Sequence, residues 1–147
     1  MAHFSVLITP KGPILHVYVT LTGPRIAAMQ AQGVALPNPP LVEMLIDTGA
    51  SHTSLDRAVI TALGLTPTGA TSVLTPSTGP NPVSAPTYDV GMVVLGGTNG
   101  GQHIIPVQQV SEFDFSAQGI GGLLGRDFLQ AARLTYSGPD GACYLSF

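Results

Sequence analysis

The stretch LVEMLIDTGASHTSLD, running from Leu41 to Asp56, carries an apolar run with one interruption that stops at Asp47, Thr48 and Gly49. Leu41, Val42, Met44, Leu45 and Ile46 predict a buried strand. That strand ends on a carboxylate. An ionised carboxyl is costly to bury unless hydrogen bonds or a charge partner compensate it, so a residue placed there is either a cap or a reagent. Gly49 permits a sharp turn and close backbone approach, Thr48 brings a hydroxyl able to tie the loop to a neighbour, and Ala50 leaves space. Together they suit a loop that holds one carboxylate rigidly in a cleft.

A second block lies far downstream: Gly122, Leu123, Leu124, Gly125, Arg126, Asp127, Phe128, Leu129. The ordered pair of blocks resembles the retropepsins, the single-domain aspartic proteases of retroviral type. Asp47, Thr48, Gly49 and Ala50 are similar to the active-site loop of that family. Two apolar residues followed by Gly125, Arg126 and Asp127 are similar to the opening of its C-terminal helix. The resemblance extends over most of the chain and implies an all-β fold, a closed β-barrel with a flap hairpin and one or two short helices. Only one such Asp loop is present, whereas pepsin-like enzymes carry two, so the resemblance implies a homodimer.

Composition narrows the alternatives. At 147 residues the chain is long enough for one domain with a real core. Hydrophobic residues make up 44% and charged residues 9%, the latter well below the ~25% of average soluble proteins. A net charge of −3 with only five basic residues, Lys11, Arg25, Arg57, Arg126 and Arg133, argues against nucleic acid, which requires a basic patch. No run approaches the ~20 apolar residues of a membrane span. The start, MAHFSVLITPKG, lacks the basic residues, apolar length and cleavage pattern of a signal peptide. Cys143 is the single cysteine and cannot form an intrachain disulfide, which points to a reducing, cytoplasmic compartment.

Along the chain, Phe4, Val6 and Ile8 form a first alternating strand closed by Pro10 to Pro13, and Ile14 to Leu21 a second. Thr22 to Pro40 breaks the pattern with one or two helical turns around Arg25 to Ala31. It stands where retropepsins have a tight hairpin and therefore reads as an insertion. Leu55, Val59, Ile60 and Leu63 recur at helical spacing and predict a helix from Leu55 to Leu63, stopped by Gly64. Thr66 to Pro86 is rich in Thr, Ser, Pro and Gly, the composition of a loop. The resemblance makes about 73–84 a flap over the substrate, with Val73, Leu74 and Val83 in its strands and Thr78 and Gly79 near its tip. Pro76, Pro80 and Pro82 depart from the usual flap, since proline stiffens the backbone and removes donors. Tyr88 to Leu95 and His103 to Val110 are strands joined by a wide glycine turn. Phe113 and Phe115 suit core packing. Arg126 to Arg133 reads as a helix, with Asp127 placed well for its dipole. Cys143 to Phe147 closes the chain as a strand, and the resemblance suggests that the Phe4 and Phe147 strands interleave with those of a second copy.

Other chemistries find little support. His3, His16, His52 and His103 lack metal-ligand spacing, so neither a metal nor another cofactor is expected. Ser51 beside His52 cannot form a hydrolase triad, and no G-x-S-x-G occurs. The glycine runs lack the Gly-Lys-Ser/Thr of a phosphate loop. Cys143 alternates with Leu145 and Phe147 and reads as core or interface.

The resemblance implies an aspartic endopeptidase acting on an extended peptide or protein, with Asp47 from each of two chains sharing one proton and activating a water. Thr48 would lock the two loops together, and Gly49 and Ser51 would offer backbone groups to an extended substrate. Ala50, Ser51, His52, Thr78, Gly79 and Leu123 would contact substrate, with Gly125, Arg126 and Asp127 as structural support. His52 also reads as an exposed loop histidine. Acidic residues that often follow the Ala in this family are replaced by Ser51 and His52, so Arg126 needs another partner, Asp56 or a carbonyl. That departure and the proline-rich flap keep open a second reading, a catalytically silent module that dimerises or binds peptides. A Ser at position 50 can donate a hydrogen bond that favours the charged carboxylate, and Ala50 cannot, so the dyad is expected to titrate high and to work at mildly acidic pH. In a pH–rate profile, Ala50→Ser should move the optimum downward; an unchanged or raised optimum contradicts this.

Overall fold

Alternating apolar residues build most of the chain into strands. The computed structural model describes residues 2–74 and 79–147. Among these the chain begins with β1 (His3–Thr9), β2 (Gly12–Thr20), α1 (Gly23–Ala31) and β3 (Leu41–Ile46). It continues with β4 (Ser54–Asp56), α2 (Arg57–Ala62), β5 (Gly69–Val73), β6 (Val83–Val94) and β7 (His103–Phe113). The last elements are β8 (Gly122–Leu124), α3 (Arg126–Leu129), β9 (Arg133–Ser137) and β10 (Ala142–Ser146).

Hydrogen-bonded neighbours run β5-β6-β7-β4-β8-β3-β2-β1-β10-β9, and β6 pairs with β2 as well. That additional pairing closes β6, β7, β4, β8, β3 and β2 into a six-stranded barrel. Closure depends on a close approach at Gly91, which sits opposite Thr20. A Cβ there would strike the Thr20 hydroxyl and lie 2.7 Å from the Leu21 carbonyl oxygen. Beside it the β6–β7 register shifts between Val90 and Met92, an irregularity that bends a strand and increases its twist. The core fills the barrel with alternate residues of each strand, including Val17 and Val19 of β2, Met44 of β3, Leu55 of β4, Val90 and Met92 of β6, and Leu124 of β8. Ile14, Phe115 and Ile120 form a smaller cluster with Leu45, Phe113 and Leu123. It lies on the other face of β2 and β3, because Ile14 and Leu45 are paired while their neighbours Leu15 and Met44 point into the barrel.

Several expectations require correction. The second helix begins at Arg57, because Ser54–Asp56 are drawn into the sheet between β7 and β8. Asp56 then caps α2 by accepting from the Ala58 N–H at 2.9 Å. The helix expected from Arg126 to Arg133 ends at Leu129, since Arg133–Ser137 is recruited as β9 against β10, with Leu134 opposite Leu145. Three short α-helices are present among the described residues, one in each of the three segments expected to be helical. Within one chain the Phe4 strand pairs with the closing strand, Phe4 opposite Leu145 and Val6 opposite Cys143, which leaves the expected interleaving with a second copy neither met nor overturned. Among the described residues β5 and β9 are the end strands of this order.

Thr22 accepts from the Arg25 N–H and starts α1 within the 22–40 segment. Beyond it residues 32–39 are exposed. The hairpin of β5 and β6 stands where the flap was expected, with Val73 opposite Val83; Thr78 lies outside the described residues and Gly79 is in an exposed turn. Phe147 sets its ring edge-on to Phe4 and Phe128 and stacks on His103 with centroids 3.8 Å apart. Cys143 is fully buried, and that burial pushes its thiol above the ordinary value, the opposite of a reactive thiolate. No helix among the described residues is long and apolar enough to cross a membrane.

Candidate active site

Asp47 emerges where β3 runs out beside β8. The two strands are parallel, with Ile46 opposite Leu124, and the ladder ends with the Asp47 N–H donating to the Leu124 carbonyl at 3.0 Å. The chain then turns back on itself. The Ala50 N–H donates to the Asp47 carbonyl at 3.2 Å, and the Gly49 N–H donates to Asp47 Oδ1 at 2.9 Å. The carboxylate is therefore held by its own loop, half-buried, while Thr48 and Gly49 are exposed at the tip.

The second sequence block grips this loop from behind. Arg126 donates its N–H to the Ala50 carbonyl at 2.9 Å and Nη1 to the Thr48 carbonyl at 3.0 Å. A carbonyl thus serves the arginine in place of an acidic partner. Asp56, the other candidate, is occupied by α2 and by the Phe115 N–H at 2.7 Å. Gly125 lies so close to the loop that a Cβ would stand 2.6 Å from the His52 carbonyl oxygen and 3.0 Å from that of Ala50. Any side chain at this position would push the two blocks apart.

Asp127 does more than suit a helix start. Its carboxylate accepts from the Thr53 hydroxyl at 2.7 Å, the Thr53 N–H at 3.1 Å, Gln108 Nε2 at 3.0 Å and the Phe128 N–H at 2.8 Å. Thr53, fully buried, also accepts from the Gly125 N–H at 3.1 Å. These bonds join α3, β7 and the chain just after the Asp47 loop. Sequence reading missed Thr53 and Gln108. A polar residue at the inward position before buried Leu55 was the one available signal for Thr53; for Gln108 there was none.

Of the remaining expected residues, Ser51 and His52 are exposed on the loop. Leu123 is half-buried in the smaller apolar cluster with Leu45, both standing two residues before a loop residue, Gly125 and Asp47 respectively. Gly79 belongs to the far hairpin turn. Among the described residues no three His, Cys, Asp or Glu side chains gather to hold a metal ion.

With this geometry in hand, comparison with known proteins is decisive for the family: the sequence profile of the aspartyl protease family matches residues 37–128. The chain belongs to the aspartyl protease family. The matched span runs from just before β3 to the Phe128 of α3 and so contains the first block and all but the last residue of the second. Among solved structures, this aspartyl protease chain is similar to the crystal structure of a retropepsin-like aspartic protease from Rickettsia conorii, with a TM-score of 0.58 at 14% identity, covering 97% of this chain and 89% of the other. At that identity the likeness establishes the retropepsin-like fold. No curated protein matches the chain significantly in sequence.

Thr53→Val removes a hydroxyl that serves both a carboxylate and a buried N–H. At fixed protein concentration it should cost about 2–4 kcal/mol in urea unfolding, since hydrogen bonds to charged groups contribute ~1.5–3 kcal/mol and a buried donor is left unpaired. A change under about 0.5 kcal/mol, the scale of an ordinary surface substitution, would contradict the bracing role given to Thr53.

Proposed function

We propose that this chain is an aspartic endopeptidase that hydrolyses peptide bonds with a water activated between two Asp47 carboxylates, one from each subunit of a homodimer. The observation that carries the reading is the Asp47 loop itself: one carboxylate, presented at the end of a core strand and oriented by the Gly49 N–H, on a loop whose Thr48 and Ala50 carbonyls are held by Arg126. Peptide hydrolysis without a metal or a nucleophilic side chain needs a base for the water and an acid for the carbonyl and the leaving nitrogen. Two adjacent carboxylates cannot both ionise cheaply, so they share one proton and supply both roles. The apparent pKa values belong to the pair. One chain contributes one such loop, and its exposed tip at Thr48 and Gly49 is where a second copy would meet it.

A further feature supports pairing of two chains. β9 is a sheet edge, and unpaired edges are sites where another strand adds. Tyr136 of β9 points to the core side of its sheet, in register with buried Cys143 and Val6, yet it is 64% exposed. A second copy along this edge would cover it. An extended substrate would lie between the Asp47 loops and the β5–β6 hairpin, with Ser51 and His52 on the loop, Thr78 and Gly79 from the flap, and Leu123 as an apolar wall.

Incubation of a peptide library with wild-type protein and with Asp47→Asn, followed by mass spectrometry across acidic to neutral pH, tests the reading. Cleavage by the wild type alone, blocked by a transition-state peptide mimic, is the expected result. Absence of cleavage by folded wild-type dimer would overturn the peptidase and favour a peptide-binding module.

A further inference from the structure

Behind the Asp47 loop lies a small cavity of about 30 Å³, lined by Thr53, Thr87, Val110, Ser111, Asp127 and the exposed His52 among others. It is bounded on one side by the base of the β5–β6 hairpin and on the other by the chain that leaves the Asp47 loop. Among the described residues, one buried side-chain polar atom has no hydrogen-bond partner, and it belongs to this cavity: the hydroxyl of Thr87, a residue only 4% exposed. A buried hydroxyl without a partner is costly.

The neighbouring groups cannot serve Thr87 directly but do have capacity left. The Asp127 carboxylate already accepts four hydrogen bonds, about as many as its lone pairs allow. Thr53 Oγ1 donates once and accepts once, leaving one lone pair. Ser54 and Ser111 share one bond between their hydroxyls at 2.7 Å, so one of their two hydrogens remains to donate. That volume exceeds the roughly 10–15 Å³ of space that a single water requires. We propose that the cavity binds one resident water that bonds Thr87 Oγ1 and the free capacity of Ser111 and Thr53, bracing the base of the flap hairpin against the chain behind Asp47. This site does not depend on the peptidase reading.

Thermal melts of Thr87→Val and Thr87→Ser decide by the sign of the change. If the hydroxyl is bonded to water, valine strips the water of a partner and lowers the melting temperature by roughly 3–5 °C, and serine restores most of it. If the hydroxyl is bare, valine removes a desolvation penalty, and the melting temperature stays or rises; that result overturns the proposal. Oxygen-17 relaxation dispersion should count one more long-lived water in the wild type and the serine variant than in the valine variant; equal counts overturn it. Should the valine variant not fold, a high-resolution crystal structure of the wild type answers the same question: ordered density within hydrogen-bond distance of Thr87 Oγ1 supports the site, and an empty cavity overturns it.

Discussion

The carboxylate of Asp127 accepts from Thr53 twice, from Gln108 and from the Phe128 N–H, and these contacts hold the two halves of the candidate site in register. Everything near Asp47 is arranged around that junction. With Asp127 fixed on Thr53, the preceding Arg126 is placed to donate to the carbonyls of Thr48 and Ala50, and Gly125 lets the strands touch. The Asp47 loop is thereby fastened at both of its ends. Such preorganisation matters because a catalytic carboxylate gains from being held in place before charge moves. The arrangement also removes the need for an acidic partner to Arg126, since oriented carbonyl dipoles serve instead.

Topology explains why the site faces outward. β6 closes the barrel through Gly91, leaving β5 and the first turns of β6 to project as a hairpin beyond it. β1, β10 and β9 form a separate layer sealed by Phe4, Leu145 and Phe147. In that layer β10 lies between β1 and β9, so β9 carries an open edge, as does β1 along His3–Leu7, which meets β2 only at Ile8 and Thr9. Few charges on the chain oppose contact between copies along such an edge.

Local patterns in the sequence were sufficient wherever an element is defined by its own residues. The apolar run ending on Asp47 and the alternation in β1 and β2 were legible; the Thr-Pro-Gly stretch read as a loop on composition, and only the family resemblance suggested the hairpin whose strands are β5 and β6. The rest depends on partners distant in sequence. Leu55 fits a helical period, yet Ser54–Asp56 gain more by pairing with β7 and β8, and helical spacing cannot reveal that competition. Arg126–Leu129 is barely one turn, too short for periodicity to set its end, and Leu134 is claimed by Leu145. Thr53 and Gln108 look like ordinary polar residues until the fold brings Asp127 to them. By contrast, the choice of a carbonyl for Arg126 was one of two options already visible, because neither Ser51 nor His52 offers a carboxylate.

The central claim is that one catalytic centre takes Asp47 from each of two chains. Wild-type and Asp47→Asn chains, unfolded, mixed in varying ratio and refolded together, test this directly through peptidase activity per total chain. If both carboxylates are needed, activity falls as the square of the wild-type fraction, because every mixed dimer is silent. A linear fall would mean that each chain works with its own Asp47 alone, and would contradict the account.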